Sequence, residues 1–222
     1  MRATFPALPD APRSPSIGET SMSLKSLLAG AALILATTVA PVAARDQPTY
    51  GSNYANDRAE IEDLMARYLF AIDYSDWDAY VSVFAEDAEL EYATGITRGR
   101  EAIRESVVSF SGNIGRYYHT EDGQPAKLRH VVLQDVIRIE GDCAWGRTLW
   151  VEMANNGPGD SMKMGTYGVY EDEFRRIDGR WLIQRRNVLN EFLDGRNSGP
   201  DNPVSEMDAA AEAYAASVAA LP

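Results

Sequence analysis

Cysteine and histidine are almost missing from this 222-residue chain. A single cysteine, Cys143, excludes an internal disulfide, so stability has to come from a packed core or from assembly. Two histidines, His119 and His130, with no HExxH pattern and no Cys/His cluster, give little from which to build a transition-metal site. Neither GxGxxG nor a phosphate-binding P-loop pattern occurs, and no cofactor is expected. Basic residues are the minority: 21 Lys and Arg face 33 Asp and Glu, a formal net charge of −12. Such a surface repels phosphate backbones and anionic lipid, which excludes nucleic acid as an expected partner. The long apolar run, Leu27 to Val39, is 13 residues, short of the roughly 20 that an ordinary transmembrane helix needs.

That run has another use. Lys25 precedes it, and Val42-Ala43-Ala44 follows it with small residues spaced for cleavage. This order predicts a secretory signal peptide, hence export, with the periplasm as the expected location in a Gram-negative cell. Met22 is a plausible true start, because residues 1–21 resemble neither structure nor a usual leader. Residues 1–44 hold three basic and two acidic residues, so the remaining 178 carry −13. They are enough for one domain with a real core.

Periodicity organises that domain. Ile61, Leu64, Met65, Tyr68, Leu69 and Ile72 fall at helical spacing, with Asp57 as expected N-cap and Glu60 three residues on. The helix should end near Asp73-Tyr74. Asp76 should cap a short second helix, Trp77 to Phe84, and a strand should follow from Ala88 to Ala93. A third helix is expected from Arg100 to about Phe110, with Ile103, Val107 and Val108 on one side. Residues 111–128 are polar and irregular, a long connection that suggests a lid or an oligomer contact. Four β-rich runs then follow, 129–140, 143–154, 163–177 and 181–192, separated by Gly-containing turns. Helices first and an antiparallel meander second is an α+β pattern. Residues 45–193 form the expected domain. Residues 194–222 are a linker and an alanine-rich tail, helical from Met207 to Ala220, that packs on the domain or on a neighbouring subunit.

The segment ARYLFAIDYSDWDAYVSVFAEDAELEY, residues 66–92, resembles the opening of SnoaL-like (nuclear transport factor 2-like) domains. The segment GVYEDEFRRIDGRWLIQRRNV, residues 168–188, resembles the family's last two strands. The resemblance implies a curved antiparallel sheet whose helices close a cone-shaped pocket. It points to the branch holding scytalone dehydratase, hexachlorocyclohexane dehydrochlorinase and bile acid 7α-dehydratase. A homodimer or homotrimer is implied by resemblance only.

Against that family, Asp73 resembles the catalytic aspartate. About 120° around the helix from Ile61, it borders the buried stripe. It also sits at the negative end of the helix dipole, a placement that demands a donor or a cation. His130 resembles the partner histidine; the carboxylate would set the imidazole tautomer and stabilise the imidazolium, making the pair a base. Strand parity leaves this open: His130 groups with Val132, Gln134 and Val136, while Val131, Leu133, Asp135 and Ile137 form the more apolar side. Tyr68, five residues before Asp73, resembles the tyrosine that bile acid 7α-dehydratase carries at that spacing, a phenol able to protonate a leaving oxygen or hold an oxyanion. The resemblance to dehydrochlorinase-like members implies that Arg186 lines the pocket and receives an anionic leaving group or a phenolate. Trp150 and Tyr170 are candidates for an aromatic wall.

The reading that follows is a cofactor-independent lyase, a dehydratase or a related carbon–carbon cleaving enzyme. Its expected substrate is a hydrophobic, ring-containing, hydroxylated compound. A ketosteroid-isomerase-like isomerase and a non-catalytic binding module are the alternatives. Contact between Asp73 and His130 separates enzyme from binder, because a binder needs none.

Overall fold

The structure, a computed structural model, describes residues 50–114 and 117–219. The expected leader, residues 1–44, lies outside the described residues. Helix α1, Tyr54–Asp73, buries the predicted stripe of Ile61, Leu64, Met65, Tyr68 and Leu69. Its start differs from expectation. Asn53 is the flanking residue, and Asp57 lies a turn inside the helix. Asp57 is buried there because it is paired: Oδ1 lies 2.6 Å from Arg176 and accepts from Trp181 Nε1 at 3.5 Å. Asp76 does cap α2, Trp77–Ser82, accepting from the Ala79 amide at 3.0 Å. This helix stops short of Phe84, which instead opens strand β1, Phe84–Tyr92. Strand β2, Gly95–Arg98, forms a hairpin with β1 that the sequence reading missed.

Helix α3, Arg100–Ile114, buries Ile103 and Val107 but leaves Val108 exposed. Five residues from Ile103, Val108 is turned roughly 140° away from it. The meander follows as predicted: β3, Leu128–Glu140; β4, Cys143–Ala154; β5, Lys163–Ile177; and β6, Arg180–Asn190. The sheet order is β2-β1-β6-β5-β4-β3. All pairs are antiparallel except β1 and β6, which run parallel, so the expectation of an antiparallel sheet needs correction. No hairpin joins those two strands; the chain returns through α3 and the meander, a connection long enough for parallel pairing.

Register breaks fall at Val132/Gln134, Val151/Met153 and Glu173/Phe174 in neighbouring strands. Each bulge bends its strand, and together they curve the sheet around α1. Directly opposed residues on the inner face include His130 with Glu152, Val132 with Trp150, and Asp172 with Arg186. The first bulge settles the parity question. Leu133 is the extra residue and is exposed, so Ile137 beyond it turns inward while Val136 turns out. Gly168 shows how tight the inner layer is: a Cβ there would meet Leu189 O at 1.9 Å and Trp150 Cζ2 at 3.0 Å. Helix α4, Pro203–Ala219, packs on the outer side of β3 and β4, burying Met207 and Ala211 and setting Tyr214 against Trp145.

Candidate active site

A cavity of about 700 Å³ opens between α1, α3 and the inner sheet face. Its wall contains Tyr68, Asp73, His130, Trp150, Glu152 and Tyr170, with Ile72, Leu90, Val107, Phe110 and Val188 supplying apolar surface. Five of the six predicted site residues therefore meet in one place.

Asp73 is the last residue of α1, and His130 is near the start of β3. The His130 amide donates to Asp73 Oδ2 at 3.0 Å, and its ring Nδ1 stands 2.6 Å from Asp73 Oδ1. Two donors thus meet the carboxylate that the helix end disfavours. The other ring nitrogen, Nε2, lies 3.5 Å from Glu152 Oε2. Burial works against charge on this imidazole, but hydrogen bonds and attraction to Asp73 and Glu152 outweigh it and raise its pKa to about 9. The ring is consequently an imidazolium at neutral pH. The sequence reading expected this histidine to act as a base; the raised pKa favours its protonated form.

Tyr68 is buried in the wall, and its hydroxyl accepts from the Tyr80 hydroxyl at 3.3 Å. Its own proton is thereby left for a third group. Burial, then the neighbouring Tyr68, pushes the Tyr80 phenol well up, so Tyr80 stays a donor. Trp150 stacks on Tyr170 with ring centres 5.5 Å apart. The Trp150 indole N–H is buried without a partner among the described residues.

Arg186 departs from expectation. It is fully buried beneath the cavity and is not part of its wall. Its Nε and Nη2 bind Asp172 at 2.7 and 2.8 Å, and its guanidinium packs 4.0 Å from the Tyr68 ring centre and 4.3 Å from that of Tyr170. Asp172 consumes the positive charge that the sequence reading assigned to a substrate anion. Glu152 is a wall residue that the sequence reading did not single out. The available signal was a carboxylate between apolar neighbours in a strand, in step with Trp150.

A family model for the SnoaL-like domain matches residues 53–187, spanning every wall residue named above except Val188. The chain belongs to the SnoaL-like family. An uncharacterized protein of Mycobacterium tuberculosis is 30% identical over 134 residues, 59% of this chain and 83% of that relative. An NTF2-like protein with a cystatin-like fold from Novosphingobium aromaticivorans is 25% identical, with a TM-score of 0.52 over 64% of this chain and 84% of that one. A candidate scytalone dehydratase from the same organism is 18% identical, with a TM-score of 0.52 over 67% and 97% of the two chains. Its likeness shows the shared fold. The SnoaL-like family includes dehydratases, isomerases and cyclases.

Proposed function

We propose that this protein is a cofactor-independent lyase that dehydrates, or otherwise eliminates from, a hydrophobic ring-containing hydroxylated compound. The observation that carries this reading is the 2.6 Å contact between Asp73 and His130 in the wall of an aromatic cavity. A binding module has no use for a buried acid–imidazole pair turned toward its ligand, and burying one is costly. An elimination uses it directly. A proton must leave carbon, the departing hydroxyl must gain one, and negative charge develops between the two events. The Asp73–His130 pair exchanges a proton, and Tyr68, already accepting from Tyr80, donates to the developing oxyanion. Trp150 and Tyr170 supply a flat surface for a ring. A cavity of about 700 Å³ matches a substrate of two to four fused rings, within the usual range for small-molecule pockets.

The test is turnover of a panel of β-hydroxy aryl and steroid-like ketones without added cofactor or metal, read by mass spectrometry. Loss of water that disappears in His130→Ala supports the lyase. A product of unchanged mass carrying solvent deuterium selects the isomerase. Tight binding without turnover, equal in wild type and variant, discards the catalytic pair.

A further inference from the structure

We propose that Glu152 is the carbon base of this pocket and His130 the acid beside it, the two passing one proton back and forth through each cycle. This assignment rests on the lyase reading and adds a catalytic residue and a proton direction to it.

Three observations support the pairing. First, His130 Nδ1 is committed to Asp73, so only Nε2 can trade protons with a substrate, and its neighbour is Glu152 Oε2 at 3.5 Å. That separation is long for a settled hydrogen bond and leaves both groups open to a third partner. Second, the Glu152 side chain is more than nine-tenths buried, yet Oε1 makes no well-formed hydrogen bond among the described residues, the Tyr118 phenol being the donor that interacts with this carboxylate. An unmatched carboxylate oxygen in a low-dielectric wall is costly to keep. It is also a ready proton acceptor. Third, room for this carboxylate is provided by a glycine: a Cβ on Gly165 would stand 2.8 Å from Glu152 Oε1 and 3.2 Å from the Tyr118 hydroxyl.

The groups facing Glu152 come from four elements. His130 is on β3, with Asp73 of α1 behind it. Tyr92 is on β1, and Tyr118 lies in the connection before β3. Both phenols are pushed up, first by burial; for Tyr118 a hydrogen-bonding interaction with the Glu152 carboxylate and then its charge follow, and for Tyr92 the neighbouring Tyr68 and then Glu152. Each remains protonated and leaves Glu152 as the acceptor.

The step balances without an added reagent. The Glu152 carboxylate takes the proton from the carbon beside the carbonyl. The electron pair of that C–H bond becomes the new C=C bond as the C–O bond to the β-hydroxyl breaks. The hydroxyl takes the Nε2 proton of His130 and leaves as water. Protonated Glu152 then returns its proton to the neutral imidazole across the short gap, restoring both groups.

The experiment pairs two leaving groups with three variants. The probes are a β-hydroxy-β-aryl ketone and the β-acetoxy ketone of the same skeleton; acetate departs without needing a proton. Glu152→Gln should lose turnover of both by roughly 100-fold or more, the range for a general base. His130→Gln should lose the hydroxy compound comparably but keep the acetoxy compound within a few-fold. Gly165→Ala, which displaces the carboxylate without removing it, should follow the Glu152→Gln pattern and serves if that variant fails to fold. In ring ¹⁵N spectra His130 should be doubly protonated at neutral pH, and its midpoint should fall in Glu152→Gln. A merely structural glutamate moves stability but not the leaving-group pattern. The assignment is overturned if His130→Gln abolishes both reactions while Glu152→Gln stays active. A wild type that turns over neither compound overturns the lyase reading itself and takes this assignment with it.

Discussion

Raising the pH should weaken the folded protein through one residue. His130 titrates near pH 9 in the native state, against 6.5 for an ordinary imidazole. The native state therefore holds the His130 proton more tightly than the unfolded chain does. That preference stabilises the fold fully below pH 6.5 and is lost as pH rises through 9. Between those limits the unfolded chain has released its proton and the native state has not, so stability falls by about 1.4 kcal/mol per pH unit. The full loss is about 3 kcal/mol. The side chain is only 14% exposed, so solvent screening removes little of it. The assay is urea unfolding of wild type and His130→Asn, followed by fluorescence of the buried Trp150 and Trp181, below pH 6.5 and above pH 9. Titrations common to both chains cancel in the comparison. Wild type should lose about 3 kcal/mol relative to the variant, or about 6–12 °C in Tm for a domain of this size. A gap between the two proteins that stays constant across the range would refute the claim that Asp73 and Glu152 hold a charged imidazole.

Arg186→Met should cost about 3–5 kcal/mol in urea unfolding, because it strands the buried Asp172 carboxylate; Arg186→Met with Asp172→Leu should recover most of that loss. Tyr68→Phe should lower kcat by roughly 100-fold with little change in KM, the pattern of a lost oxyanion donor. Gly168→Ala should fail to give soluble protein, since its Cβ would collide with the Leu189 backbone, whereas Gly112→Ala, with open space around it, should fold. If residues 1–44 act as the signal that the sequence suggests, intact mass of the exported protein should correspond to a chain beginning at Arg45.

Much of the fold was legible because it is written in local periods. The stripe from Ile61 to Ile72 and the four strand runs each repeat over more than ten residues; the strand ends and the helix's C-terminus agree with the structure within a residue or two, while the helix starts about a turn earlier than its expected cap. What failed was non-local. Nothing in β1 states that its partner is β6, almost a hundred residues later and parallel. The bulge at Leu133 is a backbone event with no glycine to mark it, and it alone decides which face Ile137 takes. The candidate site divides the same way. Asp73, His130 and Tyr68 were legible through helix geometry and family resemblance. The role of Arg186 was not, because a sequence shows a charge without showing what neutralises it. Glu152 was overlooked although its setting was visible: a carboxylate in a strand whose same-face neighbour is Trp150.

The cavity and the layer beneath it hold buried ions in two arrangements, and the contrast explains which of them can do chemistry. Asp172 and Arg186 form a closed pair. Both carboxylate oxygens are engaged, the guanidinium is covered by the Tyr68 and Tyr170 rings although its Nη1 has no hydrogen-bond partner among the described residues, and neither residue belongs to the cavity wall. Protonating or deprotonating either would leave the other buried and alone, so the pair is locked in one charge state. Asp73, His130 and Glu152 form an open set of two acids around one imidazolium, with a surplus negative charge and a bare oxygen at the wall. Moving the proton from His130 to Glu152 leaves the set's net charge unchanged, so the surroundings need little reorganisation when it happens. Only the open set offers a proton and a place to put one. The closed pair beneath it holds Tyr68 and Tyr170 in position through their ring faces, which is how a residue outside the cavity still shapes what the cavity can bind.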